Sequence, residues 1–214
     1  MNSTTPFLLV RHAEHQADPA TLAGRSLTSL TERGQSQAAA LARHLAGAKI
    51  QRVLTSPLPR AHETARILAS ALGAEVEPRP ALAEVDFGRW TGRRFTDLAD
   101  EPNWRRWNTF RSAGQAPGGE RMLDVQARVV AELMSVCVQS PGALTLVVSH
   151  ADVIRAALVH FLGVSLDHLL RLEIAHASLS ALSIGPCGAL VTAMNHMVDI
   201  GDAVRAHEPA KRTS

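Results

Sequence analysis

The chain has 214 residues, 46% of them hydrophobic and 20% charged, and a formal net charge of +2. That length is enough for one sizeable domain with a real core, and the near-balanced charge carries no global bias toward nucleic acid or a membrane. Two cysteines, Cys137 and Cys187, make neither a disulfide framework nor a zinc pattern; no apolar stretch approaches a membrane span, and the cytoplasm is the expected location.

Phe7, Leu8, Leu9 and Val10 form a compact apolar run that reads as a buried strand, too short for a secretory signal core. It ends in Arg11-His12-Ala13-Glu14, where a strand should hand over to a loop. Residues 13–30 are mixed, with Pro19 and Gly24, and predict a long loop. Thr31 is a candidate cap for a helix carrying Ala38, Leu41, Ala42 and Leu45 at helical spacing, and Gly47 ends that run.

Residues 50–55 predict a second strand. Ser56-Pro57-Leu58-Pro59-Arg60 then opens a helix, since proline suits a first turn whose N–H groups have no partner anyway. That helix runs through Ile67, Leu68 and Leu72 to Gly73. Residues 74–119 are the least regular part, hold all three tryptophans and end in Pro117-Gly118-Gly119; an insertion of short helices is expected at about 89–120. Trp104 and Trp107 could line a pocket there or only fill the insertion. Met122, Val125, Val129, Leu133 and Val136 mark a long amphipathic helix.

The clearest strand runs from Leu144 to Val148 and ends in Ser149-His150. A helix with Val153, Ile154, Ala157, Leu158 and Phe161 on its apolar side follows, ending at Gly163. Residues 178–184 and 189–194 predict an edge hairpin around Gly185-Pro186-Cys187-Gly188. The reading is thus a single domain over residues 1–200, with a polar tail at 201–214.

Strands alternating with helices predict an α/β fold with a sheet covered on both faces. Ligands in such sheets bind beyond the carboxyl ends of the strands. His12 and His150 both stand at such ends, and Arg60 stands at a helix start just beyond another. Arg11 and Arg60 offer forked, permanent charges that match phosphate oxygens. An imidazole with an ordinary pKa of about 6.5 can present a lone pair near neutral pH, so His12 can serve as nucleophile. His150 could donate to the oxygens, and a carboxylic acid must protonate the leaving oxygen. Glu84 and Asp86 compete for that last role. Taken singly, each residue has a plainer reading: a packed histidine, a solvated arginine, a loop carboxylate. His160, His168 and His176 are spaced by eight but span a helix, Gly163 and a further segment, so no metal stripe is expected.

Six segments together carry a family resemblance. Arg11-His12-Ala13-Glu14 resembles the Arg-His-Gly-Glu motif of the histidine phosphatase superfamily, in its phosphoglycerate mutase-like branch. Residues 30–38, Leu-Thr-Glu-Arg-Gly-Gln-Ser-Gln-Ala, are similar to that family's Leu-Thr-x-x-Gly-x-x-Gln-Ala. Ser56-Pro57-Leu58-Pro59-Arg60-Ala61 with Thr64-Ala65 is similar to its Ser-Pro-Leu-x-Arg-Ala-x-x-Thr-Ala. Residues 82–92 resemble Leu-x-Glu-x-x-Phe-Gly-x-Trp-x-Gly, and Pro117-Gly118-Gly119-Glu120 and Val148-Ser149-His150 match as well. Ala13 stands where the family has Gly, Asp18 where many members have an Asn touching the phosphate, and Arg121 where Ser commonly follows Gly-Gly-Glu.

The resemblance implies a three-layer α/β/α sandwich with a mostly parallel sheet. It implies His12 as nucleophile, Arg11, Arg60 and His150 as the phosphate pocket, and Glu84 as proton donor, with no metal and no cofactor. The expected activity is hydrolysis of a small phosphomonoester through a phosphohistidine. A mutase is the alternative, disfavoured by the short stretch between Glu84 and His150; a non-catalytic phosphate-binding module is the third reading. No nucleic-acid or membrane partner is expected, and self-association is left open.

Overall fold

The computed structural model describes residues 3–198. Six strands form one sheet in the order β3-β2-β4-β1-β5-β6. They are β1 (Thr5–Arg11), β2 (Arg52–Thr55), β3 (Val76–Pro78), β4 (Thr145–Ser149), β5 (Leu179–Gly185) and β6 (Gly188–His196). The first four in space run parallel, and β5 and β6 close the far edge as an antiparallel hairpin. The fold is therefore the expected α/β class with a mostly parallel sheet and an edge hairpin. β3 is a strand that the sequence reading left inside an irregular stretch; with only three residues, none of them buried, it shows no hydrophobic pattern.

Alternation along each central strand sends side chains to two separate cores. Phe7 and Leu9 of β1, Leu54 of β2 and Val147 of β4 face one core; Val10, Val53, Leu146 and Val148 face the other. Period-two burial on both faces is what a parallel sheet between helical layers requires. The first core is covered by α5 (Met122–Gln139) and α6 (Ala151–Phe161), the second by α1 (Glu32–His44) and α2 (Pro59–Leu72). Each fully buried aliphatic side chain contributes about 1.5–3 kcal/mol.

The helix ends follow local chemistry. Thr31 caps α1, its Oγ1 accepting from the Gly34 amide over 2.9 Å. Pro59 opens α2, and Gly73 closes it in the left-handed conformation (φ +65°). Gly34 has a second role: a Cβ there would run into the Glu14 carbonyl oxygen. Only glycine lets α1 sit directly against the loop that leaves β1.

The irregular stretch between β3 and α5 holds α3 (Phe95–Leu98) and α4 (Pro102–Thr109), preceded by 3-10 turns at Pro80–Leu82 and Gly88–Trp90. Trp90 and Trp107 are fully buried and meet edge to face, with centroids 5.9 Å apart. Trp107 thus packs into the core, and Trp104 packs against Trp90. The tail at 201–214 lies outside the described residues.

Candidate active site

β1 and β4 lie side by side in parallel, with Arg11 opposite Ser149. The register continues one residue further, where the His12 amide donates to the Ser149 carbonyl over 2.9 Å. Their carboxyl ends therefore deliver His12 and His150 together, with ring centroids 5.1 Å apart. Arg60 arrives from the first turn of α2 and is buried, only 1% exposed. Its Nη1 and Nη2 donate to the Ser26 and Gly24 carbonyls (2.9 and 2.6 Å), so the long loop after β1 anchors it. Thr64 Oγ1 accepts from the Ala13 amide (3.0 Å) and donates to the Arg60 carbonyl (2.7 Å), clamping that loop to α2.

Hydrogen-bond roles define the histidine tautomers. His12 Nδ1 lies 2.8 Å from the Ala13 carbonyl, which can only accept, so Nδ1 carries the proton. Arg60 Nε, which can only donate, points at His12 Nε2 over 3.3 Å, so Nε2 holds a lone pair. His150 accepts from Arg60 at Nδ1 (3.3 Å), and its Nε2–H donates to Ser56 Oγ over 2.8 Å. Burial, with neighbouring cationic and imidazole groups added, holds both rings well below the ordinary histidine pKa. His150 is fully buried with both nitrogens engaged. Although it precedes α6, its side chain makes no cap bond.

Arg11 donates to the Ile174 carbonyl (2.7 Å) and to His176 Nε2 (2.9 Å), while its Nε is buried with no hydrogen-bond partner among the described residues. Burial lowers its pKa to about 10, which still leaves it charged at neutral pH. Glu84 lies across from these cations, its Oε2 3.8 Å from His150 Nδ1. Burial, then the Asp152 charge, push its carboxyl up to about 7, against the pull of Arg60. Its backbone is held by two arginines that donate to the Glu84 carbonyl, Arg25 (2.9 Å) and Arg128 (3.3 Å). Asp86, the rival carboxylate, is turned away and accepts from the Gly88 amide. Asp18 pairs with Arg94 at the rim, and Arg121 with Asp124 at the exposed start of α5.

Arg11, His12, Arg60 and Glu84 line a cavity of about 720 Å³. Its wall also contains His15, Asp152, Arg155 and His176, and the apolar Leu22, Phe87 and Phe95. Such a wall can bind one dianion at the arginines, present an unprotonated imidazole to it and supply a proton from a carboxylic acid. Among the described residues, His12, His15 and His176 could hold a metal ion, offering nitrogens within 4.8 Å of one another.

Residues 7–197 match the model of the histidine phosphatase superfamily, branch 1. The chain belongs to that superfamily. Among its relatives is a bifunctional protein of Mycobacterium tuberculosis, 37% identical over 189 residues, which are 86% of this chain and 52% of that protein. The chain thus spans about half the length of the mycobacterial relatives it matches first. Phosphoserine phosphatase 1 of Hydrogenobacter thermophilus is 30% identical over 206 residues, 94% of this chain and 98% of that one. The crystal structure of the α-ribazole phosphatase from Shigella flexneri superposes with a TM-score of 0.81 at 28% identity, covering 90% of this chain and 96% of that one.

All five residues expected from the sequence, Arg11, His12, Arg60, Glu84 and His150, converge at one end of the sheet. Those that the sequence reading missed are of two kinds. Ser56 and Thr64 stand inside a motif, and their hydroxyls signalled a role that only their partners define. His15, Asp152, Arg155 and His176 carry no pattern; His176 enters from the segment before β5, and its spacing from His160 and His168 has no bearing on the site.

Proposed function

We propose that this chain is a phosphomonoester hydrolase working through a phosphohistidine on His12, with a small phosphorylated metabolite as substrate and without a metal. The placement of His12 Nε2 carries the reading: a lone-pair nitrogen on the cavity wall, fixed by the Ala13 carbonyl behind it and flanked by Arg60. Arg11 and Arg60 would supply the positive charge that a metal brings to other phosphoryl transfers.

In the first step His12 Nε2 attacks phosphorus, the bond to the leaving oxygen breaks, and Glu84 gives its proton to that oxygen. Water then adds to the phosphoryl group while the Glu84 carboxylate takes its proton; the N–P bond breaks and phosphate departs. A carboxyl raised to about 7 suits both halves, since it is available as acid and as base near neutral pH. Leu22, Phe87 and Phe95 remain for the leaving group once the arginines hold the phosphate. The names of relatives, phosphatases and phosphoglycerate mutase-like proteins alike, support phosphoryl chemistry at this site. A reducing, cytoplasmic compartment suits Cys137 and Cys187, both unpaired.

Hydrolysis of p-nitrophenyl phosphate in EDTA, parent against His12→Ala, tests the reading. Activity that vanishes in the variant, with one phosphoryl group on acid-sensitive, base-stable histidine in the quenched parent, is the expected result. Turnover that survives His12→Ala would refute it, and transfer to a sugar-acid acceptor in place of water would make the protein a mutase.

A further inference from the structure

The hydrolytic scheme leaves two histidines of the cavity unused. His15 and His176 flank the nucleophile, with ring centroids 5.1 Å from His12 to His15, 5.3 Å from His12 to His176 and 5.7 Å between the outer pair. One nitrogen from each of the three lies within 4.8 Å of the others. The outer rings are only partly buried, and all three line the same cavity.

We infer that His12, His15 and His176 form an inhibitory site for a borderline-soft divalent cation such as Zn²⁺. Three imidazoles with an open fourth position are a ligand set suited to zinc, whereas magnesium and calcium prefer oxygen. With Zn–N bonds of about 2.0–2.1 Å, tetrahedral ligand nitrogens stand about 3.3 Å apart, so the cluster must contract on binding. His15 is the ring free to move: among the described residues its Nδ1 makes two long contacts, 3.3 Å to the Ala17 amide and 3.3 Å to Thr28 Oγ1.

The surrounding charges define what kind of site this is. Arg60 Nε lies 3.3 Å from His12 and Arg11 Nη2 lies 2.9 Å from His176, two fixed cations that repel a dication. Both guanidiniums keep carbonyl partners at Gly24, Ser26 and Ile174 if they give up the imidazoles. Glu14 and Asp18 on the same wall offset the repulsion in part. The balance makes a weak site, filled when free metal rises and emptied by chelation, rather than the seat of a resident cofactor. Ligation occupies the His12 lone pair that the phosphoryl group needs, so a filled site is an arrested enzyme. This consequence rests on the proposed reaction; the binding does not.

Calorimetric titration of the EDTA-treated, dialysed chain with Zn²⁺, in phosphate-free buffer, tests the site directly. Co²⁺ absorption reports the coordination geometry. One equivalent with tetrahedral cobalt bands is expected in the parent, weakened at least about tenfold in His15→Gln and in His176→Gln, a loss that even outer-shell changes produce at metal sites. Zn²⁺ should also arrest p-nitrophenyl phosphate hydrolysis reversibly, with an inhibition constant that rises by the same factor in each variant. The site is refuted by no binding in the parent, by equal affinity in parent and variants, or by bound zinc that leaves turnover unchanged. A parent with no hydrolase activity would sink the proposed reaction alone, since calorimetry would still decide the site.

Discussion

Arg60 Nε and His12 Nε2 face each other over 3.3 Å, a permanent donor against an imidazole lone pair. The same side chain reaches His150 through Nη2 and the loop carbonyls of Gly24 and Ser26. One guanidinium therefore orients both histidines while lining the cavity.

Arg60→Ala should lower kcat/KM at least about tenfold, or about 1.4 kcal/mol of barrier. Arg60→Lys should recover little of it, because an ammonium keeps the charge and loses the fork that spans His12, His150 and two carbonyls. Steady-state kinetics of both variants on p-nitrophenyl phosphate check this; full rescue by lysine would show that charge alone matters.

Glu84 should set the alkaline limb of the rate profile. As the acid of the first step it must be protonated, and its pKa of about 7 predicts a rate that falls above that value. Asp152 raises that pKa by its charge, so Asp152→Asn should move the limb to lower pH. Glu84→Gln should abolish the limb together with most turnover. The stability consequence has a definite sign: a pKa raised from 4.5 contributes stability that is full below 4.5 and is lost as pH rises toward 7. Thermal unfolding of Glu84→Gln should show a shallower decline across that window.

Ser56→Ala removes the acceptor of the His150 Nε2–H, a bond of 2.8 Å between fully buried groups. An orphaned buried donor costs about 1–3 kcal/mol. Urea unfolding should show that loss, and kcat should fall with it because the ring no longer supports Arg60. Unchanged stability would mean that a water replaces the hydroxyl.

Gly34→Ala would place a methyl group against the Glu14 carbonyl and force α1 away from the loop that carries His12. Overpacking of this kind costs about 1–3 kcal/mol. A lower Tm together with reduced turnover is expected; a variant with parental values of both would show that the loop yields freely.

The sequence carried the elements that local chemistry dictates. Thr31 as cap, Pro59 at a first turn, Gly73 as stop and the apolar runs of β1 and β4 each act through neighbours a few residues away, so their signals are written in short windows. The strand-end positions of His12 and His150, and the helix-start position of Arg60, followed from those windows. β3 escaped because three unburied residues make no pattern.

By itself, then, the sequence determined an α/β chain with a charged, histidine-bearing strand end, because periodicity and capping are local properties. The anchoring of Glu84 beside His150, the burial of Trp107 and the seating of His15 and His176 beside His12 were decided only by the tertiary structure. Each depends on groups brought from distant segments: Arg25 and Arg128 on the Glu84 carbonyl, Trp90 against Trp107, and Arg11 on His176 across 165 positions of chain. Contacts of that range are absent from any local window, and it is burial beside fixed charges, not residue type, that shifts Glu84 upward and His12 downward.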